Sequence, residues 1–253
     1  MNIAVCIKAV PDYEIPADKF KLENNRIGGE YKEFIGLYDE HAIEVALQLK
    51  SKTGAKLYAI SYGREEQLLP LKKALSMGAD ELVLIKGSGD DPYITAHNLA
   101  NAIKKYNIDI ALSGRVSSDL EREMVPPLLA AMLDWIYLPF IVSVSKESDD
   151  DSLLCKQQLE DKDLLLKVKG NFVASVTNAP SNLPRIPSLR EIIKSKKKPI
   201  HIEDESKEGE FGWAEEVAVK IPHYEYVNEM LPNDDLSSTA KLLLEKLKEE
   251  HYL

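Results

Sequence analysis

Over its first 145 residues this chain alternates short apolar runs with stretches of helical periodicity, and that pattern limits the folds open to it. Residues 2–10 (NIAVCIKAV) are apolar nearly throughout, as a strand covered on both faces must be. A helix follows over 39–52, with Asp39 as its cap, Ala42, Ile43, Ala46 and Leu49 on one face, and Gly54 closing it. Residues 56–62 (KLYAISY) and 81–85 (ELVLI) read as strands, separated by a helix bearing Leu68, Leu71 and Leu75 and stopped at Gly78. Asp91-Pro92 starts another helix, a cap followed by proline at the first position, with Ile94, Leu99 and Ile103 on its apolar side. Residues 108–113 form a fourth strand, a helix capped by Ser117 or Ser118 runs towards Trp135, and 140–145 form a fifth strand. This spacing predicts an α/β fold: a Rossmann-like parallel sheet with right-handed crossovers and helices on both faces.

Beyond residue 146 the pattern changes to a C-terminal β-hairpin, loop and helix extension. The hairpin pairs 153–159 with 163–169 around Glu160-Asp161-Lys162, and a short strand follows over 171–178. A polar segment at 202–213, a β-like run at 215–221 and a helix over 236–251 carrying Leu242, Leu243, Leu244 and Leu247 complete the chain. The expected division is an α/β nucleotide-binding-like domain over 1–200 and an arm over 201–253. The arm's helix either packs elsewhere or docks on its own domain.

With 253 residues, 44% of them hydrophobic, the chain can bury a substantial core. A net charge of −10 argues against a general nucleic-acid binder, because tracking a phosphate backbone needs excess Lys and Arg. Two cysteines make neither a disulfide framework nor a metal knuckle, and the histidines lack ligand spacing, so no metal site is expected. Residues 124–142 (MVPPLLAAMLDWIYLPFIV) imitate a membrane span of about 20 residues, but Pro126, Pro127, Pro139 and Asp134 interrupt them. A buried helix followed by a strand is the expectation. No basic stretch precedes an apolar core at the start, so neither a signal peptide nor a transmembrane span is expected, and the two cysteines fit a reducing cytoplasm.

Phosphate-binding glycine loops, zinc-protease motifs and nucleophile elbows are missing. Gly87 to Asp91 reads as a turn, since Asp90 and Asp91 would repel a phosphate. The stronger candidate is residues 113–119 (SGRVSSD), at the carboxyl end of a parallel strand, where α/β sheets commonly bind ligands. Gly114 permits close approach, Ser117 and Ser118 offer hydroxyls, and Arg115 offers charge. This loop resembles the phosphate loop of ATP-pyrophosphatases, although those carry more glycine and place it after the first strand.

A second candidate is residues 182–200 (NLPRIPSLREIIKSKKKPI). Pro184 and Pro187 stiffen a loop feeding a short helix, with Ser188 and Glu191 in capping-box register. Lys194, Lys196, Lys197 and Lys198 crowd its end, favourable for the helix dipole, before Pro199 stops it. Leu189 sits at the first helical position. Composition alone favours its folding back onto its own core; the alternative is an anchor offered to another protein.

Taken together, VCIKAVPDY, DEHAIEVALQLK, AISYG, LKKALSMGADELVLI, ALSGRVSSD, AAMLDW and the 182–200 segment resemble the small (beta) subunit of electron-transferring flavoproteins, including nitrogen-fixation-type members. The last segment is close to that family's Asn-Glu-Pro-Arg-Tyr loop and Lys-rich helix. The resemblance covers about residues 3–200. It implies a heterodimer in which a larger alpha subunit holds the redox FAD, and an electron carrier that catalyses nothing alone. The segment matching Pro184, Arg185, Leu189, Ile192, Ile193 and Lys194 would dock acyl-CoA-type or other flavin dehydrogenases, with the leucine in an apolar pocket. A quinone reductase or another acceptor would take the electrons. Tyr13 matches an aromatic near the partner's flavin. A nucleotide site, usually for AMP or for a second FAD in bifurcating members, matches Cys6, Tyr38, Asp39, Tyr62, Gly114, Arg115, Ser117, Ser118, Asp119 and Val125. The chain departs from the family pattern over 120–126: Met124 replaces an amide, Pro126 lacks a donor, and Glu121 and Glu123 add negative charge, while Arg115 and Arg122 could compensate. The alternative is a stand-alone adenine-nucleotide-binding α/β protein, similar to stress proteins or ATP-pyrophosphatases.

Overall fold

The computed structural model describes every residue except 13, 17–18, 24–25, 30, 89–90, 148–149, 207–219, 221–227, 229, 232–234 and 253. It falls into two compact units. The larger comprises Met1–Lys21 with Ile27–Val217, the smaller Leu22–Arg26 with Ala218–Leu253. Tyr13 and the β-like run at 215–221 lie largely or wholly outside the described residues.

In chain order the strands and helices begin with β1 (Asn2–Cys6), β2 (Ala9–Pro11), β3 (Phe20–Glu23), β4 (Arg26–Gly29), β5 (Glu33–Ile35), α1 (Leu37–Thr53) and β6 (Lys56–Gly63). Then come α2 (Leu68–Leu71), α3 (Lys73–Met77), β7 (Glu81–Lys86), α4 (Pro92–Lys105), β8 (Ile110–Gly114), α5 (Val125–Leu133) and β9 (Ile136–Ser145). The chain continues through β10 (Ser152–Gln158), β11 (Asp163–Lys169), β12 (Phe172–Val176), α6 (Leu189–Ser195) and β13 (Ile200–Asp204), and the smaller unit holds α7 (Leu236–Glu249). Among the described residues the main sheet has nine strands in the order β11-β10-β9-β12-β8-β1-β6-β7-β13. From β9 to β13 all neighbours run parallel; β10 and β11 add an antiparallel edge. The Rossmann-like α/β expectation holds.

Successive strand residues feed opposite layers. Ile3, Val5, Leu57, Leu82 and Leu84 pack under Ile43, Ala46, Leu71 and Leu75 of α1 to α3. On the other face Ala4, Ile60 and Val83 meet Leu99, Ile103, Leu129 and Leu133 of α4 and α5. The segment over 124–142 is such a buried helix and strand, and among the described residues no helix is long and apolar enough to cross a membrane.

Several local expectations change. The first strand stops at Cys6, and Ala9–Pro11 instead pairs antiparallel with β5, because the Lys8 N–H is taken by the Asp39 carboxylate at 2.8 Å. Asp39 is therefore no cap; α1 starts at Leu37 and Asp39 lies inside its first turn. The helix expected over Leu68, Leu71 and Leu75 is divided into α2 and α3, the first containing Pro70. Ser117 and Ser118 do not cap α5, which begins only at Val125. Pro126 and Pro127 fit its first turn, where missing N–H groups cost little. Strand β9 starts at Ile136, earlier than expected, and bulges where Phe140 adopts φ +55. Strand β13 lies in a segment expected to be polar and irregular.

Candidate functional site

Strands β6 and β7 lie on one side of β1 and β8 on the other, so the carboxyl ends of β1 and β8 flank the point where strand order reverses. Cys6 and Ser113 are register partners there. Asp39 bridges the two strand ends: Oδ2 accepts the Lys8 N–H at 2.8 Å and Oδ1 accepts the Gly114 N–H at 2.9 Å. A Cβ on Gly114 would sit 2.5 Å from Asp39 Oδ1 and 2.8 Å from its backbone nitrogen, so glycine is required. Burial pushes the Asp39 carboxyl up to about 7, against the pull of both N–H bonds and the Lys8 charge. Burial also pushes the Cys6 thiol up to about 12, which keeps it from acting as a thiolate nucleophile.

The cleft at this point has a volume of about 120 Å³ and is lined by Cys6, Tyr62, Leu99, Ser113, Arg115 and Val125 among others. That resembles the roughly 150 Å³ cavity that admits a benzene ring, and falls short of a drug-sized pocket. The guanidinium of Arg115 lies 5.2 Å from the Tyr38 ring and 5.7 Å from that of Phe140. Its Nε stands 3.4 Å from Glu123 Oε1. Asp119 ties the loop back through a 2.5 Å ion pair with Lys8; burial raises its carboxyl, but the Lys8 bond and charge bring it below the ordinary value. The Tyr62 hydroxyl donates to Glu205 at 2.5 Å. Ser117 also lines the cleft, whereas Ser118 lines a separate groove with Phe34 and Leu37. Thus most of the expected nucleotide positions converge, with Tyr38 and Asp119 acting through Arg115 and Lys8.

Whether these residues fit a nucleotide phosphate turns on donors. Ser113 Oγ is buried and has no partner among the described residues, which suits a polar ligand atom. Two features oppose an anion. Two of the first three residues of α5 are prolines, so its start presents few N–H groups. Glu123 already occupies the side of Arg115, and Glu121 and Glu123 both hold left-handed backbone in this loop, at φ +50 and +53. These features count against a phosphate, whereas Lys8, Arg122 and Ser117, which also line the cleft, count for one.

The 182–198 segment is built differently. Asn182 is fully buried, and its Nδ2 donates to the Val142 and Thr177 carbonyls at 3.0 and 2.9 Å. Its Oδ1 accepts the Ala179 N–H at 2.8 Å and lies 2.9 Å from His41 Nδ1. Arg185 grips Glu44 of α1 through Nε and Nη2 at 2.7 and 2.9 Å. At the far end Lys198 donates to the Leu75 and Ala79 carbonyls at 2.9 and 2.6 Å, closing off α3. Between these ties, Ser188 and Glu191 form the expected capping box. Helix α6 ends at Ser195, so only Lys194 of the basic run lies in its last turn. Nothing in α6 is buried: Leu189 is 73% exposed, and Ile192, Ile193 and Lys194 are exposed as well. Leu189 does not fold onto its own core. In the preceding loop Pro184 is half-buried and Ile186 is 94% exposed.

A family profile described as "Electron transfer flavoprotein domain" matches residues 30–208, most of the chain and both candidate regions from Tyr38 onward. The chain belongs to the electron transfer flavoprotein family, as a beta-type subunit. The electron transfer flavoprotein subunit beta of Thermoanaerobacterium thermosaccharolyticum is 32% identical over 267 aligned positions, covering all of both chains. That of Clostridium acetobutylicum is 31% identical over 265 positions, again over both whole chains. That of Bacillus subtilis is 35% identical over 207 positions, 79% of this chain and 77% of its own. Within this electron transfer flavoprotein chain, the partners of the site residues went unrecognised in the sequence: Lys8 for Asp119, Phe140 for Arg115, Glu44 for Arg185, and His41 for Asn182. Each lies far away in the chain, and the only local signal was that Glu44 and His41 occupy otherwise apolar faces of α1.

Proposed function

We propose that this chain is the beta subunit of a cytoplasmic electron-transfer heterodimer. A larger alpha subunit holds the redox FAD, and this chain packs against it and catalyses nothing alone. The segment from Pro184 to Lys194 docks flavin-containing dehydrogenases, acyl-CoA-type or others, and the electrons pass on to an acceptor such as a quinone reductase. The observation that carries this reading is Leu189, exposed on a helix whose flanking segments are tied down by Asn182, Arg185 and Lys198. A seven-residue helix has little stability of its own, and this one buries nothing. The capping box and the two tethers hold it in place, so an apolar anchor is presented with little ordering cost on contact. Such an anchor gives specificity over a small area, which suits a complex that separates after each transfer. Arg185 serves as a tether in this reading, and Leu189, Ile192, Ile193 and Lys194 meet the partner. The chemistry that FAD supplies is electron storage in its flavin ring, and no residue of this chain is assigned to that step. The AMP implied by family resemblance has no part in this reading, because docking through Leu189 makes no use of the cleft between β1 and β8.

Co-expression with the matching alpha subunit tests the assignment. A stable complex with flavin absorbance is the expected product; a colourless chain that stays alone and hydrolyses ATP would support the stand-alone alternative.

A further inference from the structure

The loop before α6 is held from beneath by a polar ridge on α1, where His41, Glu44 and Gln48 share one face at i, i+3 and i+7. Gln48 Nε2 donates to the Ser181 carbonyl at 2.9 Å, and Glu44 accepts from Arg185. His41 Nδ1 faces two acceptors, the Asn182 carbonyl and Oδ1, each at 2.9 Å, so that nitrogen carries the proton and donates. Ile186 follows directly, with Arg185 tethered on one side and the fixed φ of Pro187 on the other. It is the most exposed apolar residue of the segment, at 94% against 73% for Leu189. Leu183, Ile192 and Ile193 are exposed as well, so none of the aliphatic side chains over 183–193 turns inward. The charges beside them have one sign. Arg190, Lys196 and Lys197 are exposed and form no ion pair among the described residues. Glu191, the one acid of the segment, is turned back onto the Ser188 N–H at 2.7 Å.

We propose that Ile186 is a second apolar anchor of the docking surface, and that the partner this surface fits carries an apolar pocket for both Ile186 and Leu189 edged with carboxylates. The inference rests on the docking reading above and adds to it a specificity-determining residue and the chemistry of the partner's face. Three positions of chain span at most about 11 Å, so both anchors fall on one pocket-sized patch. A β-branched side chain has few rotamers to lose, and the ridge already fixes its backbone, so its burial against a partner carries a small ordering cost. The cations favour a carboxylate-bearing surface, whereas the rest of a chain of net charge −10 repels one. An acidic partner is therefore steered to this face, and the two anchors hold it there.

The test is stopped-flow reduction of the heterodimer's flavin over a range of concentrations of an acyl-CoA-type dehydrogenase that reduces it. Ile186→Ala should raise the half-saturating dehydrogenase concentration by about fivefold or more, with the limiting rate unchanged. Ile186→Leu, which conserves volume, should stay within about twofold of wild type. Added salt should raise the wild-type half-saturating concentration, and the combined Arg190→Gln, Lys196→Gln and Lys197→Gln variant should lose most of that dependence. Flavin content and thermal midpoint are read on every variant, and with side chains this exposed they are expected to hold. Leu189→Ala in the same assay separates the two readings. If it acts while Ile186→Ala is silent, the second anchor alone is overturned; if both are silent, the docking reading falls with it. The proposal is also overturned if Ile186→Ala releases flavin, which would place the residue against the alpha subunit, or if the combined charge variant keeps the wild-type salt dependence.

Discussion

Arg185 closes on Glu44 with two parallel N–H···O bonds of 2.7 and 2.9 Å, joining the exposed loop to a carboxylate buried in α1. Burial alone would raise the Glu44 carboxyl; the Arg185 bonds and charge bring it below its ordinary value. The planar fork is suited to this pairing in a way a lysine is not. Arg185→Ala should therefore destabilise the fold by roughly 1–3 kcal/mol, because a buried acceptor loses its donors. Arg185→Lys should recover only part of that loss. Urea midpoints of the three proteins give the measurement, and equal midpoints would show that the pair is not a tether.

Gly114 sits under the first turn of α1, where an added Cβ meets both Asp39 Oδ1 and the Asp39 backbone. Backbone cannot swing aside as a flexible side chain can. Gly114→Ala should cost roughly 1–3 kcal/mol through overpacking, read as a lower thermal midpoint. An unchanged midpoint would mean that β8 and α1 are not in this contact.

Asp39 gives a pH signature of definite sign. Its carboxyl is raised by burial in the folded chain to about 7 from an ordinary value of 3.8. A raised carboxyl binds its proton more tightly when folded, so stability is fully present below about pH 4 and is lost as pH rises through about 7. The loss approaches roughly 4 kcal/mol. Asp39→Asn, which carries no titrating proton, should lack this decline. Urea midpoints of both proteins at pH 5 and pH 8 measure it: the wild-type decline between these values should exceed that of the variant. Parallel behaviour would mean that Asp39 stays ionised across the range.

What the sequence disclosed and what it hid divides along contact range. Strands β1, β6 and β7 were legible because burial on both faces leaves near-continuous apolar runs. The Ser188/Glu191 capping box and the Asp91-Pro92 helix start were legible because each is completed within a few residues. Asp39 was misread as a cap because its partners, Lys8 and Gly114, lie 31 and 75 positions away. Ser117 and Ser118 looked like caps for the same local reason, although Pro126 and Pro127 already marked the first turn of α5. Strand β13 escaped notice because an edge strand alternates exposed and half-buried residues, as IHIED does, and reads as polar loop. The candidate nucleotide positions clustered as expected from the switch point. Exposure of Leu189 could not be read from composition, which favoured burial.

The central claim rests on Leu189, and the most direct test is stopped-flow reduction of the heterodimer's flavin by its partner dehydrogenase. Leu189→Ala should slow reduction by about tenfold or more, as loss of an apolar anchor does, with flavin content and thermal stability unchanged. Equal rates for the two proteins, or loss of flavin from the variant, would contradict the assignment of this helix as the docking element.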